Sequence, residues 1–97
     1  MDITVINNEQ RQQFQATVDG ELAFLEYRWH KGLMALMHTE VPKALEGKGL
    51  ASALAKFAFE YAIAKQLQVL VYCPFVATYL KRHPEYNYLV HHSPAPE

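Results

Sequence analysis

The sequence predicts an α/β fold, an antiparallel meander followed by a β-α-β crossover and a short C-terminal helix. Three observations carry that prediction. Period-two patterning in the first part of the chain is interrupted by two tight-turn pairs, Asp19-Gly20 and Lys31-Gly32. An apolar stripe of helical period follows Gly49. A short strand-like run, QVLVY, then meets Cys73-Pro74, and a second helical stretch follows it.

Taken in order, Ile3 to Asn7 reads as a short strand and Asn7-Asn8-Glu9-Gln10 as a turn. Arg11 to Val18 alternates, with Phe14, Ala16 and Val18 on one side and Gln13, Gln15 and Thr17 on a polar side, as in a half-buried strand. Asp19-Gly20 suits a type I′ hairpin turn, whose two central residues need positive φ. Glu21 to His30 continues as a strand, and Leu33 to Val41 is a third beyond Lys31-Gly32. The near-continuous apolar first half of that third strand predicts cover on both faces. After Gly49, residues Leu50, Leu54, Phe57, Ala58 and Tyr61 fall on one helical stripe, with Lys56 and Glu60 as an exposed i,i+4 pair. Gln68 to Tyr72 is a buried-looking strand joined to the third by a parallel crossover. Phe75 to Arg82 is a short helix that Pro84 stops near His83. Tyr86 to Val90 is expected to add a last strand. The domain is expected to span residues 1–90, with 91–97 as a flexible tail.

Composition narrows the function classes. At 97 residues and 51% hydrophobic content the chain suits one ordinary globular core. A net charge of −1 gives no electrostatic reason to expect nucleic acid or an anionic membrane. One cysteine, Cys73, excludes an internal disulfide and a multi-cysteine metal site. The start, MDITVINNEQ, lacks the basic and apolar regions of a signal peptide, and no apolar run approaches the roughly 18 residues of a membrane span. A cytoplasmic home is the expectation.

The stretch from Val41 to Lys65 organises the rest. Glu46-Gly47-Lys48-Gly49 opens directly onto the long helix. Two glycines there leave uncovered the first backbone N–H groups, which have no partners within the helix and carry the positive end of its dipole. Such a mouth suits a phosphate or pyrophosphate. Lys48 opposes the dipole unless an anion sits beside it. A flexible loop with a solvated Lys48 explains the same residues equally well.

A meander, a Gly-rich turn, a long helix, a strand and a short helix, in this order, resemble the GNAT superfamily of acyl-CoA-dependent N-acetyltransferases. That family's signature is Gln/Arg-x-x-Gly-x-Gly/Ala; the matching run is Glu46-Gly47-Lys48-Gly49-Leu50-Ala51, with Glu46 departing at the first position. The family often has Asn followed six residues later by a helical Tyr; this chain has Cys73 and then Tyr79. The run from His38 to Tyr86, with its VP, GKG, CPF and HPEY landmarks, is similar to small single-domain members of the superfamily. The resemblance implies a GNAT-like minimal acyl-CoA N-acyltransferase fold. The two helices that wall the acceptor site in larger members are not expected between Asn7 and Arg11, nor is a full strand pair expected after Val90. The donor half is expected complete and the acceptor half reduced, which leaves room for a homodimer partner.

What the resemblance implies for chemistry can be assigned residue by residue. The strands Leu33–Val41 and Gln68–Tyr72 should splay, so that Val41 pairs with a pantetheine arm. The amides of Gly47, Lys48, Gly49, Leu50 and Ala51 should hold the pyrophosphate, with Thr39, Lys43 or Lys48 within reach of its oxygens. Tyr79 is the candidate proton donor to the departing thiolate; a half-buried helix aromatic is its structural alternative. Glu40 and His38 share a strand face and are candidate acceptors of the amine's proton; a solvated strand end explains them as well. Cys73 has three readings: a buried small hydrophobe, a thiol beside the acyl sulfur, or a covalent acetyl-cysteine. Without a nearby cation it would be mostly thiol at pH 7, which ranks proximity above covalent catalysis. The expected function is N-acetyl transfer from acetyl-CoA to an unidentified amine, without a metal. A non-catalytic acyl-CoA-binding or sensing module and a plain interaction domain are the alternatives.

Other motifs fail. Gly47-x-Gly49-x-x-Ser52 lacks the third glycine of a dinucleotide fingerprint. Gly49 precedes Leu50, not the Lys-Ser/Thr of a Walker loop. His83, His91 and His92 have no acidic partner at metal-ligand spacing.

Overall fold

A computed structural model of the chain describes residues 3–92. One five-stranded sheet has the order β1-β2-β3-β4-β5. β1 (Ile6–Asn8), β2 (Gln13–Val18), β3 (Glu21–His30) and β4 (Leu33–Glu40) form the antiparallel meander, and β5 (Val69–Val71) joins β4 in parallel. Helix α1 (Leu50–Ala64) makes the crossover, and α2 (Pro74–Arg82) follows β5.

The turns form for the reasons the residues suggest. Asp19 and Gly20 have φ of 51° and 77°, and Lys31 and Gly32 have 51° and 82°, the paired positive angles that keep a two-residue hairpin in step with strand twist. The first half of β4 is buried on both faces at Met34, Ala35 and Leu36. α1, α2 and a six-residue 3-10 helix (Pro84–Leu89) join one core centred on Phe14, Leu25, Tyr27, Leu36, Leu54 and Phe59.

Several expectations are corrected. β1 begins at Ile6, although Ile3 and Val5 still lean on the core. Gln13 and Gln15 are 8% and 9% exposed instead of solvated. Gln15 donates to Gln13 at 2.8 Å and accepts from Asn8 at 3.4 Å, so the polar side of β2 satisfies itself. The buried face of α1 is wider than the predicted stripe and includes Ala55, Phe59 and Ala62, because the sheet covers one flank and α2 with the 3-10 helix covers another. Glu60 takes the Tyr86 hydroxyl at 2.6 Å, and no ion pair with Lys56 is formed among the described residues. Tyr86 to Val90 is not a strand. Pro84 presets a helical φ and Tyr86 N–H donates to the His83 carbonyl, leaving a single bridge from Val90 to Val69. Of the expected tail, residues 93–97 lie outside those described.

Candidate functional site

The site grows from an irregularity in β4. Tyr27 pairs with Leu36 and Glu26 with His38, so Met37 is an extra residue, a β-bulge. Plain alternation would aim His38 and Glu40 into the core with Leu36. The bulge shifts the register: His38 and Glu40 lie opposite Glu26 and Phe24, while Thr39 pairs with the fully buried Leu25.

At the same point β5 leaves. The last β4–β5 pair is Leu36–Val71, and both Tyr72 and Cys73 donate their N–H groups to the Leu36 carbonyl at 3.0 Å. Met37 to Glu40 continue without a β5 partner, and a gap opens between the strands. Across it, Thr39 Oγ1 and Cys73 Sγ meet at 3.2 Å.

The third wall is the mouth of α1. Gly47 and Gly49 both have φ of 82°, a left-handed conformation that costs a side-chain-bearing residue about 1–2 kcal/mol. Gly49 caps the helix without a side-chain bond, and the first turn has no acidic residue. Among the described residues the amides of Gly47, Gly49, Leu50, Ala51 and Ser52 have no protein acceptor. Lys48 stands apart from that set: its amide donates to Leu45 at 3.3 Å, and its side chain is outside the cleft wall.

These elements enclose one cleft of about 530 Å³. Thr39, Glu40, Val41 and Leu45 form one side, and Glu46, Gly47 and Gly49 to Ser52 form the helix mouth. Phe75, from the first turn of α2, closes the opposite side. Leu45, Ser52 and Phe75 had no assigned role in the sequence; Phe75 was visible only as an aromatic directly after the strand-ending Cys73-Pro74.

The structure thus brings Glu40, Val41, Gly47, Gly49, Leu50 and Ala51 to one cavity, with Cys73 behind Thr39 and 3% exposed. His38 is off the wall, 3.7 Å from Glu40 and edge-on to Phe24. Thr39 turns its hydroxyl to Cys73 and not to the helix mouth. Tyr79 is also off the wall. It stacks on His83 at 4.2 Å and lies nearly parallel to Phe59 and Tyr86. Burial, with the Glu85 and Glu60 carboxylates, pushes its phenol above the ordinary tyrosine range, so it stays protonated at neutral pH. His91 and His92 border a separate hollow beyond β5. Among the described residues, no group of three His, Cys, Asp or Glu side chains could hold a metal ion.

The bulged strand, the gap between parallel neighbours and the bare amides at the crossover helix all lie within the span that a known family covers. The family model described as GCN5-related N-acetyl-transferase matches residues 13–89. The chain belongs to that family. The matched span begins at β2 and ends with the 3-10 helix, so this N-acetyltransferase domain includes every cleft residue named above. The chain is 35% identical over 95 residues to Protein NATD1 of Gallus gallus, covering 95% of this chain and 86% of that one. It is 36% identical over 90 residues to Protein NATD1 of Mus musculus, covering 90% and 82%, and 34% identical over 90 to that of Homo sapiens, covering 90% and 80%. β1 reaches β2 through the turn at residues 9–12, and no helix among the described residues is long and apolar enough to cross a membrane.

Proposed function

We propose that this protein binds acetyl-CoA in the 530 Å³ cleft and transfers its acetyl group to an amine. One observation carries the reading: the unpartnered amides at the mouth of α1 open onto the same cavity as the unpaired edge of β4. The amides of Gly47, Gly49, Leu50, Ala51 and Ser52 hold the pyrophosphate, at about 1.5–3 kcal/mol for each charge-assisted bond. Val41, directly after β4, and the last residues of that strand offer backbone groups to the pantetheine arm, which directs the thioester toward the gap beside Thr39.

Transfer needs a free amine, a polarised thioester carbonyl and a proton for the leaving thiolate. Glu40, on the cleft wall, takes the proton of the attacking amine, directly or through water, and His38 at 3.7 Å relays it. The C–S bond breaks as the amide forms, and the thiolate takes a proton that the neutral phenol of Tyr79 supplies through water, because that phenol lies off the cleft wall. Cys73 contributes proximity and packing, since Thr39 stands between it and the cleft. The cytoplasm is the setting of this reading, and a reduced acceptor wall leaves room for a second copy of the chain.

A second reading, a non-catalytic acyl-CoA-binding or sensing module, is favoured by one observation: Tyr79 lies in an aromatic stack and not on the cleft wall. Two measurements test them, and the second separates them. Acetyl-CoA at 100 times Kd should stabilise the fold by about 2.7 kcal/mol, seen as a raised Tm; no shift at millimolar ligand removes the donor site from both readings. Steady CoA release with a panel of amines, lost in Tyr79→Phe and Glu40→Gln, supports the enzyme. Binding without release under any amine supports the sensor.

A further inference from the structure

The inner end of the cleft is formed by two side chains that the transfer mechanism leaves without a chemical task. Thr39 lines the cavity, whereas Cys73 lies behind it, 3.2 Å away and 3% exposed. Cys73 is itself fixed at both backbone ends. Its N–H donates to Leu36 and its carbonyl accepts the Ala77 amide, each at 3.0 Å. The bulge at Met37 sets Thr39 beside Leu25, and the strand neighbours Leu25 and Leu36 are fully buried.

The direction of the bound donor gives this end its meaning, and here the inference rests on the donor reading above. With phosphates at the α1 mouth and the arm passing Val41 and Glu40, the acyl end arrives last, at Thr39. We propose that Thr39, backed by Cys73, is the end wall of the acyl subsite and sets acyl-chain length. An acetyl group fits, and chains of three or four carbons meet the threonine side chain. Volume is the selecting property, because the hydroxyl is already engaged by the cysteine sulfur. The wall does not yield readily, because its strand neighbours Leu25 and Leu36 are fully buried.

The test needs no knowledge of the acceptor. Calorimetric Kd values for CoA, acetyl-CoA and butyryl-CoA would be measured on the wild type, Thr39→Ala, Thr39→Val and Cys73→Ala. The wild type should prefer acetyl-CoA over butyryl-CoA by about tenfold or more, the usual discrimination of a closed apolar pocket per methylene. Thr39→Ala should erase most of that preference while still binding CoA, and Thr39→Val, which keeps the volume, should retain it. Cys73→Ala, which removes the backing, should lower it by a smaller factor and serves as the readout should Thr39→Ala fail to fold. An unchanged preference in the truncated variants, with CoA still bound, overturns the wall alone. A wild type that does not bind CoA overturns the donor reading and the wall with it.

Discussion

The two ends of α1 are built on opposite rules. At the start, Gly49 adopts a left-handed φ of 82°, no side chain caps the helix, and successive amides face a cleft. At the finish, Gln66 adopts the same region with φ of 57°, yet the backbone closes on itself. Leu67 N–H donates to Ala62 at 2.8 Å and Gln66 N–H to Ile63 at 3.2 Å, the two bonds of a Schellman motif. Between the ends, Phe59 stacks with Tyr79 and Tyr86, and the exposed Glu60 accepts the Tyr86 hydroxyl. One end leaves its polar groups available to a ligand and the rest of the helix satisfies them internally. Binding and stability should therefore separate along a single helix.

The largest effect belongs to the closed part. Phe59→Ala removes a fully buried ring that stacks on Tyr86 at 4.9 Å, and should cost about 3–5 kcal/mol by the usual large-to-small range. Urea unfolding would check it, and a loss below 1 kcal/mol would show that the stack is not what holds α1. The open end should behave differently. Gly49→Val meets no heavy atom within 4 Å at its Cβ, so its stability cost is mainly conformational, at least about 1–2 kcal/mol for a branched residue at positive φ. That branched side chain shields the helix-mouth amides, and acetyl-CoA affinity should fall more than tenfold. Gly20→Val is the control, since the hairpin glycine has a similar φ of 77° and equal space but lies far along the chain from the cleft. Its strain should match while its ligand response is unchanged. Equal losses of binding in both variants would break the contrast.

The same contrast governs what the chain displays before folding. Turn pairs, the helical stripe and the parallel crossover are local or periodic, and each survives because backbone sterics and one apolar face determine it. The glycine mouth is legible for the same reason. The bulge at Met37 is not, since nothing in LMALMHTE marks where an extra residue enters, and yet it decides which way Thr39, His38 and Glu40 face. Gln13 and Gln15 mislead because two amides that bond to each other tolerate burial that one alone would not. Tyr86 misleads because Pro84 sets helical geometry under a residue of high strand propensity. Contacts distant in sequence, such as Tyr86 with Glu60, are also invisible to periodicity.

That last contact gives a smaller, pH-dependent prediction. The Tyr86 phenol donates to Glu60 at 2.6 Å, and this bond, then burial, pushes its pKa well above the ordinary tyrosine range. The folded protein therefore holds the proton after the unfolded chain has released it. The contribution is fully present below about pH 10 and is lost as pH rises toward the folded value, at up to about 1.4 kcal/mol per pH unit for one proton. Tyr86→Phe should cost about 1 kcal/mol at pH 8 and make the alkaline decline shallower. Tyr27 and Tyr79, raised mainly by burial, keep part of that decline in the variant. Denaturant midpoints measured from pH 8 to 11 decide it, and parallel curves for the two proteins would remove the Glu60 bond from the account.

The smallest effect tests the finish of α1. Gln66 occupies a left-handed position that a side-chain-bearing residue enters at a cost of about 1–2 kcal/mol. Replacing it with glycine relieves that strain but gives the unfolded chain more freedom, a penalty of about 0.4–1 kcal/mol. The balance is a gain of about 0.5 kcal/mol, because the Schellman bonds use backbone groups that glycine retains. Gln66→Gly should thus raise the denaturant midpoint slightly and leave acetyl-CoA affinity unchanged. The same relief is not open to Gly49, which is already glycine, so the mouth of α1 is strain-free at its cap and unsatisfied only in its hydrogen bonds. A change in acetyl-CoA affinity in Gln66→Gly would mean that the two ends are coupled through the helix, and the separation of binding from stability would fail there first.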